Sequence, residues 1–487
     1  MDLCVLNDWT RATDVMDAID GLPLPQRYWA ILTIAIAVAM AVLDSAIANI
    51  ALPTISRDLG ASPAASIWVV NAYQLTLTIS LLPFSSLGDI FGYRRVYWSG
   101  LVLFTLASLA CAMSHSLMSL TAARVLQGFG AAGITSVNTA LVRFIYPRQL
   151  LGRGMGINAL VVATASAAGP TIAAGILSVA SWQWLFMVNV PLGALALGLS
   201  INSLPRTEHP RQQFDFGSAL LSAGAFGLLV TAIAGLGHGE SALLITTEFA
   251  TAALLGTTLV RRQSMLSAPM LPIDLFRRPV FSLSAATSVC SFAAQGLAFV
   301  ALPFYFQDVL NRSQVETGLL ITPWPLAVAA IAPFAGRLAD RYPAGILGGL
   351  GLAILSGGLL LVALLPAHPA AGDIIWRMAL CGFGFGLFQS PNNRAIMSSV
   401  PRTRSGNASG VISSARLLGQ TTGAALVALV FGLTAARGGV GPGTLIAVVL
   451  AACFAAAAAV ASGLRLVDFG DGDPAVGRAG ERGVPGD

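Results

Sequence analysis

The chain has 487 residues, 55% of them hydrophobic and only 10% charged, with a mean hydropathy of +0.76. Soluble domains carry about 25% charged residues, so a chain built as an ordinary soluble domain is excluded. The net charge of +5 comes from arginine alone, and because those arginines follow the apolar runs, the basicity is topological and no nucleic-acid partner is implied.

Residues 1–27 hold several aspartates and no apolar core, which reads as a cytoplasmic tail and not as a signal peptide. Fourteen apolar runs follow, each long enough to cross about 30 Å of hydrocarbon. They cover 28–53, 66–87, 96–113, 117–143, 154–180, 183–204, 214–237, 241–260, 280–306, 315–335, 345–366, 373–398, 406–433 and 442–464. The spacing predicts an all-α polytopic membrane protein with 14 transmembrane helices. Residues 466–487 are rich in Gly, Asp and Arg and read as a disordered cytoplasmic tail. The five cysteines are scattered without a CxxC pair, so neither a disulfide framework nor a metal site is expected. The connecting loops are too short to hide a soluble catalytic domain, which argues against an enzyme and against a sensor.

With the N-terminus in the cytoplasm, 21 of the 27 arginines fall on the cytoplasmic side. Arg57, Arg312, Arg377 and Arg437 fall on the other, while Arg124 and Arg416 lie inside spans. This positive-inside asymmetry predicts an even number of spans with both termini cytoplasmic.

The first span, VAMAVLDSAIANIALP (38–53), carries Asp44 in its middle. A charge at the bilayer centre costs about 2.5–3.5 kcal/mol, so such a residue is expected to face the bundle and to have a function. Ala37, Ala41, Ser45 and Asn49 recur every four residues beside it and make a small face for a close helix contact. Burial disfavours the charged form of a carboxylate. Asp44 therefore reads as a protonatable site at which a proton and a cargo compete, with a structural carboxylate as the alternative. In the fourth span Arg124 cannot shed its proton and needs acceptors or a wet cavity. The competition reading requires Asp44 and Arg124 to open onto one central cavity.

SSLGDIFGYRR (85–95) follows the second span and GRLADRYPAG (336–345) follows the tenth. Each sets a small residue four positions before an aspartate, Asp89 or Asp340, then arginines (Arg94 and Arg95, or Arg341) and a turn residue, Gly92 or Pro343. Such an echo is expected of duplicated six-helix halves. The second loop comes two spans late, so spans seven and eight read as an inserted pair. The predicted domains are 28–204, 205–279 and 280–465, with the paired loops acting as a latch. In the fifth span, Gly169-Pro170 removes a backbone hydrogen bond and predicts a kink. Ser313 and Glu316 fit a helix-capping box. Trp29, Trp98, Trp182, Trp184 and Trp376 lie near span ends and read as interface anchors.

These motifs together resemble the major facilitator superfamily, in its fourteen-helix drug:proton antiporter branch. The likeness covers about residues 28–465. It rests on Asp89, Gly92 and Arg94 in the loop; on Arg124, Gln127, Gly128 and Gly130 in LTAARVLQGFGAA; and on Gly169 and Pro170 in ASAAGPTIAAGI, which is similar to an exporter signature. WQWLFMVNVPLG (182–193) and the first-span residues Leu43, Asp44, Asn49 and Pro53 are similar to further motifs of that branch. The loop departs from the family pattern at Ser85, Ile90 and Tyr93. The resemblance implies alternating access between two six-helix bundles, driven by a proton gradient without any cofactor, in a monomer in the bacterial cytoplasmic membrane. It also implies export of hydrophobic, cationic drugs, with export of one secondary metabolite or antibiotic as the alternative. Asp44 and Arg124 become the proton-coupling pair, and Asn49, Gln127, Asn138 and Arg416 the candidate cavity residues.

Overall fold

The computed structural model describes residues 20–61, 68–207, 214–238, 241–264, 273–434 and 440–466. Fourteen long helical units run through them: α1 (Gln26–Asp58), α2 (Trp68–Phe91), α3 (Tyr93–Ala112), α4 (Leu117–Ile145), α5 (Leu151–Val179), α6 in two pieces (Gln183–Met187 and Asn189–Ser203), α7 (Phe216–His238), α8 (Ala242–Gln263), α9 (Pro279–Phe304), α10 in two pieces (Gln314–Ile321 and Pro323–Ala339), α11 (Ala344–Ala363), α12 (Ala371–Ser398), α13 (Ser405–Thr434) and α14 (Val440–Leu464). Thirteen of these are long and apolar enough to cross a membrane. The exception is α2, where Asn71, Gln74 and Asp89 dilute the hydropathy of a helix that is 24 residues long.

Two uninterrupted spans of the sequence reading are broken helices. α10 breaks at Thr322, because Pro323 and Pro325 restart the helix without a donor N–H. α6 breaks at Val188, which puts Asn189 at the start of its longer piece. α5 continues across Gly169, and the side chain of Pro170 lies outside the described residues. The Trp182 indole is no interface anchor: it is 1% exposed and donates to Asp58 Oδ2 at 2.7 Å. Trp29, Trp98, Trp184 and Trp376 are exposed, as expected of anchors.

One buried cluster gathers α1–α6 and runs across the bundle interface to Phe281, Ile396 and Ala408 on α9, α12 and α13; a second gathers α9–α14 and reaches Ala163 on α5. α7 pairs with α8 and also touches α2 and α13, so the pair sits at the seam between the bundles. Ser313 and Glu316 form the reciprocal cap at the start of α10: Glu316 N–H donates to Ser313 Oγ at 3.2 Å, and Ser313 N–H donates to Glu316 Oε2 at 2.9 Å. Ser313→Ala should lower stability by about 1 kcal/mol and leave transport unchanged, as read by thermal unfolding and by vesicle uptake.

Candidate functional site

Asp44 on α1 is 2% exposed and Arg124 on α4 is fully buried. Arg124 Nη1 donates to Asp44 Oδ2 at 2.5 Å and to Gln127 Oε1 at 2.7 Å, and its Nε donates to the Val69 carbonyl at 3.0 Å. Gln127 and Arg124 stand three residues apart and share a helix face. Gln127 Nε2 donates to Asp44 Oδ1 at 2.8 Å and to Ser108 Oγ at 2.9 Å. Asn189, placed by the break in α6, donates to Asp44 Oδ1 at 3.0 Å. Donors from α4 and α6 thus converge on the carboxylate of α1, with α2 and α3 holding the donors, and the buried pair is almost completely satisfied. Arg124 Nη2 alone has no hydrogen-bond partner among the described residues.

Neither Asp44 nor Arg124 lines the central cavity, which corrects the expectation that both open onto it. Tyr73 stands between. Its ring lies 4.1 Å from the Arg124 guanidinium carbon and also forms part of the cavity wall. In this conformation the Tyr73 ring separates the carboxylate and its arginine from the cavity.

The cavity encloses about 650 Å³ between the bundles. Arg416 lines it, as expected. Gln127 belongs to the buried cluster, and Asn138 bonds to Asn158 at 2.9 Å without reaching the cavity; both expectations are corrected. The side chain of Asn49 lies outside the described residues. The described residues of the lining include Gln74, Gln295, Gln389 and Gln420 but no aspartate or glutamate. With Asp44 behind the wall, the described lining offers no carboxylate to a cationic cargo. Glu248 sits on α8, away from this cavity.

The two repeated loops do converge on one end of the molecule, each against the opposite bundle. Asp89, closing α2, accepts from Gly406 N–H at 2.9 Å and Asn407 N–H at 3.1 Å, at the start of α13. Asp340, closing α10, accepts from Gly152 N–H at 2.7 Å and Arg153 N–H at 3.3 Å, at the start of α5. Each aspartate therefore caps the fifth helix of the other bundle, where the helix dipole favours an anion. The approach is close: a Cβ on Gly336 would stand 2.4 Å from the Gly152 carbonyl oxygen, so neither position tolerates a side chain while the bundles touch. Gly92, with φ 93°, turns the chain from α2 into α3 in a conformation that favours glycine.

Burial pushes the Asp340 carboxyl above the usual carboxylate range, against the pull of the Gly152 N–H and of Arg394. Protonation weakens an acceptor of backbone N–H groups, so this contact should loosen as pH falls through that raised value. Cross-linking between cysteines at Arg153 and Arg341 should drop in yield on acidification, and Asp340→Asn should remove the dependence.

Arg94, Arg95 and Arg341 do not join the bundles. Arg94 donates to the Ile201 carbonyl within its own bundle, and the other two are exposed. Arg143, assigned only to topology in the sequence reading, does the bridging: it donates to the Val400 carbonyl at 2.8 Å and to Ser405 Oγ at 2.9 Å. Asp20 adds a further link, accepting from Arg148 N–H at 2.6 Å and pairing with Arg402. The cavity lining includes none of these residues and extends to Gly318–Thr322, at the end of α10 away from Asp340.

Two bundles of membrane helices, closed at one end over a central cavity, are the fold of a transporter. The Major Facilitator Superfamily model matches residues 34–424, and the chain belongs to that family. It is 60% identical over 451 residues to the uncharacterized transporter YebQ of Escherichia coli (strain K12), covering 92% of this chain and 97% of that protein. It is 34% identical over 393 residues to the multidrug resistance protein Stp of Mycobacterium tuberculosis (strain CDC 1551 / Oshkosh), covering 80% of this chain and 73% of that one. The crystal structure of the human organic anion transporter MFSD10 shares the fold with a TM-score of 0.65 at 14% identity, covering 91% of this chain and 100% of that one. The chain is a multi-pass membrane transporter.

Proposed function

We propose that this transporter is a proton-driven antiporter that exports bulky hydrophobic small molecules from a bacterial cytoplasm. It works by alternating access between bundles 28–204 and 280–465, with 205–279 as an inserted pair. The driving force is the proton gradient, no cofactor enters, and the working unit is a monomer in the cytoplasmic membrane. The observation that carries this reading is a carboxylate, bonded to an arginine and buried one side chain behind the wall of a central cavity. The likeness to a multidrug resistance protein supports the choice of cargo.

With the arginine-rich loops in the cytoplasm, the closed end is cytoplasmic and the conformation faces outward. Protonation of Asp44 weakens its ion pair with Arg124, which changes what Arg124 offers the Tyr73 ring and so the shape of the cavity wall. Loss of the proton restores the pair. The two ionisation states thus favour different wall geometries, and a ligand shifts such an equilibrium only by its differential affinity for them.

The test is uptake of fluorescein and rhodamine 123 into everted vesicles from cells producing the protein. Accumulation of at least one dye should require an imposed proton gradient and collapse when a protonophore dissipates it. Accumulation that ignores the gradient, or transport of neither dye, would count against the reading.

A further inference from the structure

Among the described residues lining the cavity the single charge is Arg416, on α13. Its guanidinium makes no hydrogen bond or ion pair with any described residue, whereas Arg124, the other arginine deep inside a span, is bonded to Asp44. The charge inventory explains why. Asp44 is already bonded to Arg124, Glu248 lies on α8 outside both bundles, and the other acids among the described residues stand at helix ends or in loops. No described side-chain anion pairs with Arg416.

The surplus of donors extends beyond this residue. Trp324 is fully buried in the wall, and its indole N–H has no partner among the described residues. Guanidinium and indole can only donate, so neither can satisfy the other. Water reaches the Arg416 guanidinium while the cavity is empty, but a cargo that displaces the water has to supply an acceptor in its place. A cationic cargo would instead set a like charge beside Arg416 in a poorly hydrated space, which selects against it.

The shape of the wall narrows the choice further. Phe299 and Trp324 meet at a 45° tilt with centroids 5.1 Å apart, and Phe292 meets Phe385 edge-on at 5.3 Å. Ala41 and Ser45 of α1 and Ala163 and Ala167 of α5 add small side chains to the lining. A volume of about 650 Å³ accommodates a fused-ring molecule.

We propose that the cargo is a planar aromatic acid whose carboxylate or phenolate is held by Arg416, with its rings against the aromatic side chains of the C-terminal bundle and the small side chains of α1 and α5. This names the substrate class for the export reading above and rests on it.

The probes are fluorescein, an anion at pH 8, and rhodamine 123, a cation on the same three-ring frame. Binding to the purified full-length protein in detergent is followed by fluorescence polarisation. Wild-type protein should bind fluorescein at least about tenfold more tightly than rhodamine 123. Arg416→Gln should weaken fluorescein about ten- to hundredfold, the range for a lost charge-assisted hydrogen bond, and leave rhodamine 123 unchanged or tighter. Arg416→Lys, which keeps the charge, should keep the preference for the acid. Preference of the wild type for rhodamine 123, no binding of fluorescein, or equal loss of both dyes in a monodisperse Arg416→Gln protein would overturn the proposal. If Arg416→Gln does not fold, the wild-type preference and the Lys variant decide. No gradient enters this binding, so acid preference without gradient-driven uptake would refute the export reading alone. Gradient-driven uptake without acid preference would refute the substrate class alone.

Discussion

Asp44→Asn should stop accumulation against a gradient and should also destabilise the protein. Asn keeps the shape of the side chain and one acceptor, but Arg124 then stands buried with no counter-charge. Removing one partner of a buried ion pair costs about 3–5 kcal/mol, chiefly because the other charge is left uncompensated. Arg124 has no other carboxylate bonded to it, and the Val69 carbonyl and Gln127 Oε1 supply dipoles but no charge. The double variant Asp44→Asn/Arg124→Gln removes both charges and should recover most of the stability, because neutral replacement of a buried pair is often tolerated. It should not recover gradient-driven transport. Thermal unfolding of both variants, beside everted-vesicle uptake, separates the structural share of the pair from its coupling role. Full recovery of transport in the double variant would show that the pair is only a clamp between α1 and α4.

The second large effect is expected at the closed end. Asp89→Asn/Asp340→Asn removes two carboxylates, each accepting two backbone N–H groups across the bundle interface. At about 1.5–3 kcal/mol for a hydrogen bond to a charged group, the outward-facing state should lose at least about 3 kcal/mol, more than a hundredfold in its population ratio. A cysteine at Ser166, which lines the cavity, should be labelled from outside by an impermeant thiol reagent in an otherwise cysteine-free protein. Labelling should fall sharply in the double variant. Labelling at the wild-type rate would mean that Arg143 and the Gly152–Gly336 contact hold the end closed without the aspartates.

The helices were legible because apolar length and arginine asymmetry are imposed by the bilayer itself. Both breaks escaped notice, since hydropathy does not register where a backbone donor is lost, although Pro323 and Pro325 were a signal for one of them. The loop echo singled out Asp89 and Asp340, and both carboxylates accept hydrogen bonds across the bundle interface. What each aspartate would meet was hidden, because the partners are backbone N–H groups at the starts of distant helices, and every residue type carries those. Arg143 was hidden for a related reason: its acceptors are the Val400 carbonyl and Ser405, neither of which stands out in a sequence.

Asp44 and Arg124 were individually conspicuous as charges in apolar runs, and their pairing follows from the scarcity of alternatives. Tyr73 carried no motif, yet it separates the pair from the cavity. The mistaken view of Asp44 as a cavity wall residue came from treating burial in the bundle as exposure to its central space. Arg416 was flagged for the same reason as Arg124, and its different fate, facing the cavity without an anion, depends on the rotation of α13.

The most direct measurement follows protons in proteoliposomes holding a trapped pH indicator while fluorescein flows through the protein down its own gradient. Wild-type protein should move protons in the opposite sense to the dye. Asp44→Asn, in protein verified as inserted, should pass the dye downhill at about the wild-type rate with no pH change inside. A pH change of wild-type size in the Asp44→Asn vesicles would contradict proton coupling at this carboxylate.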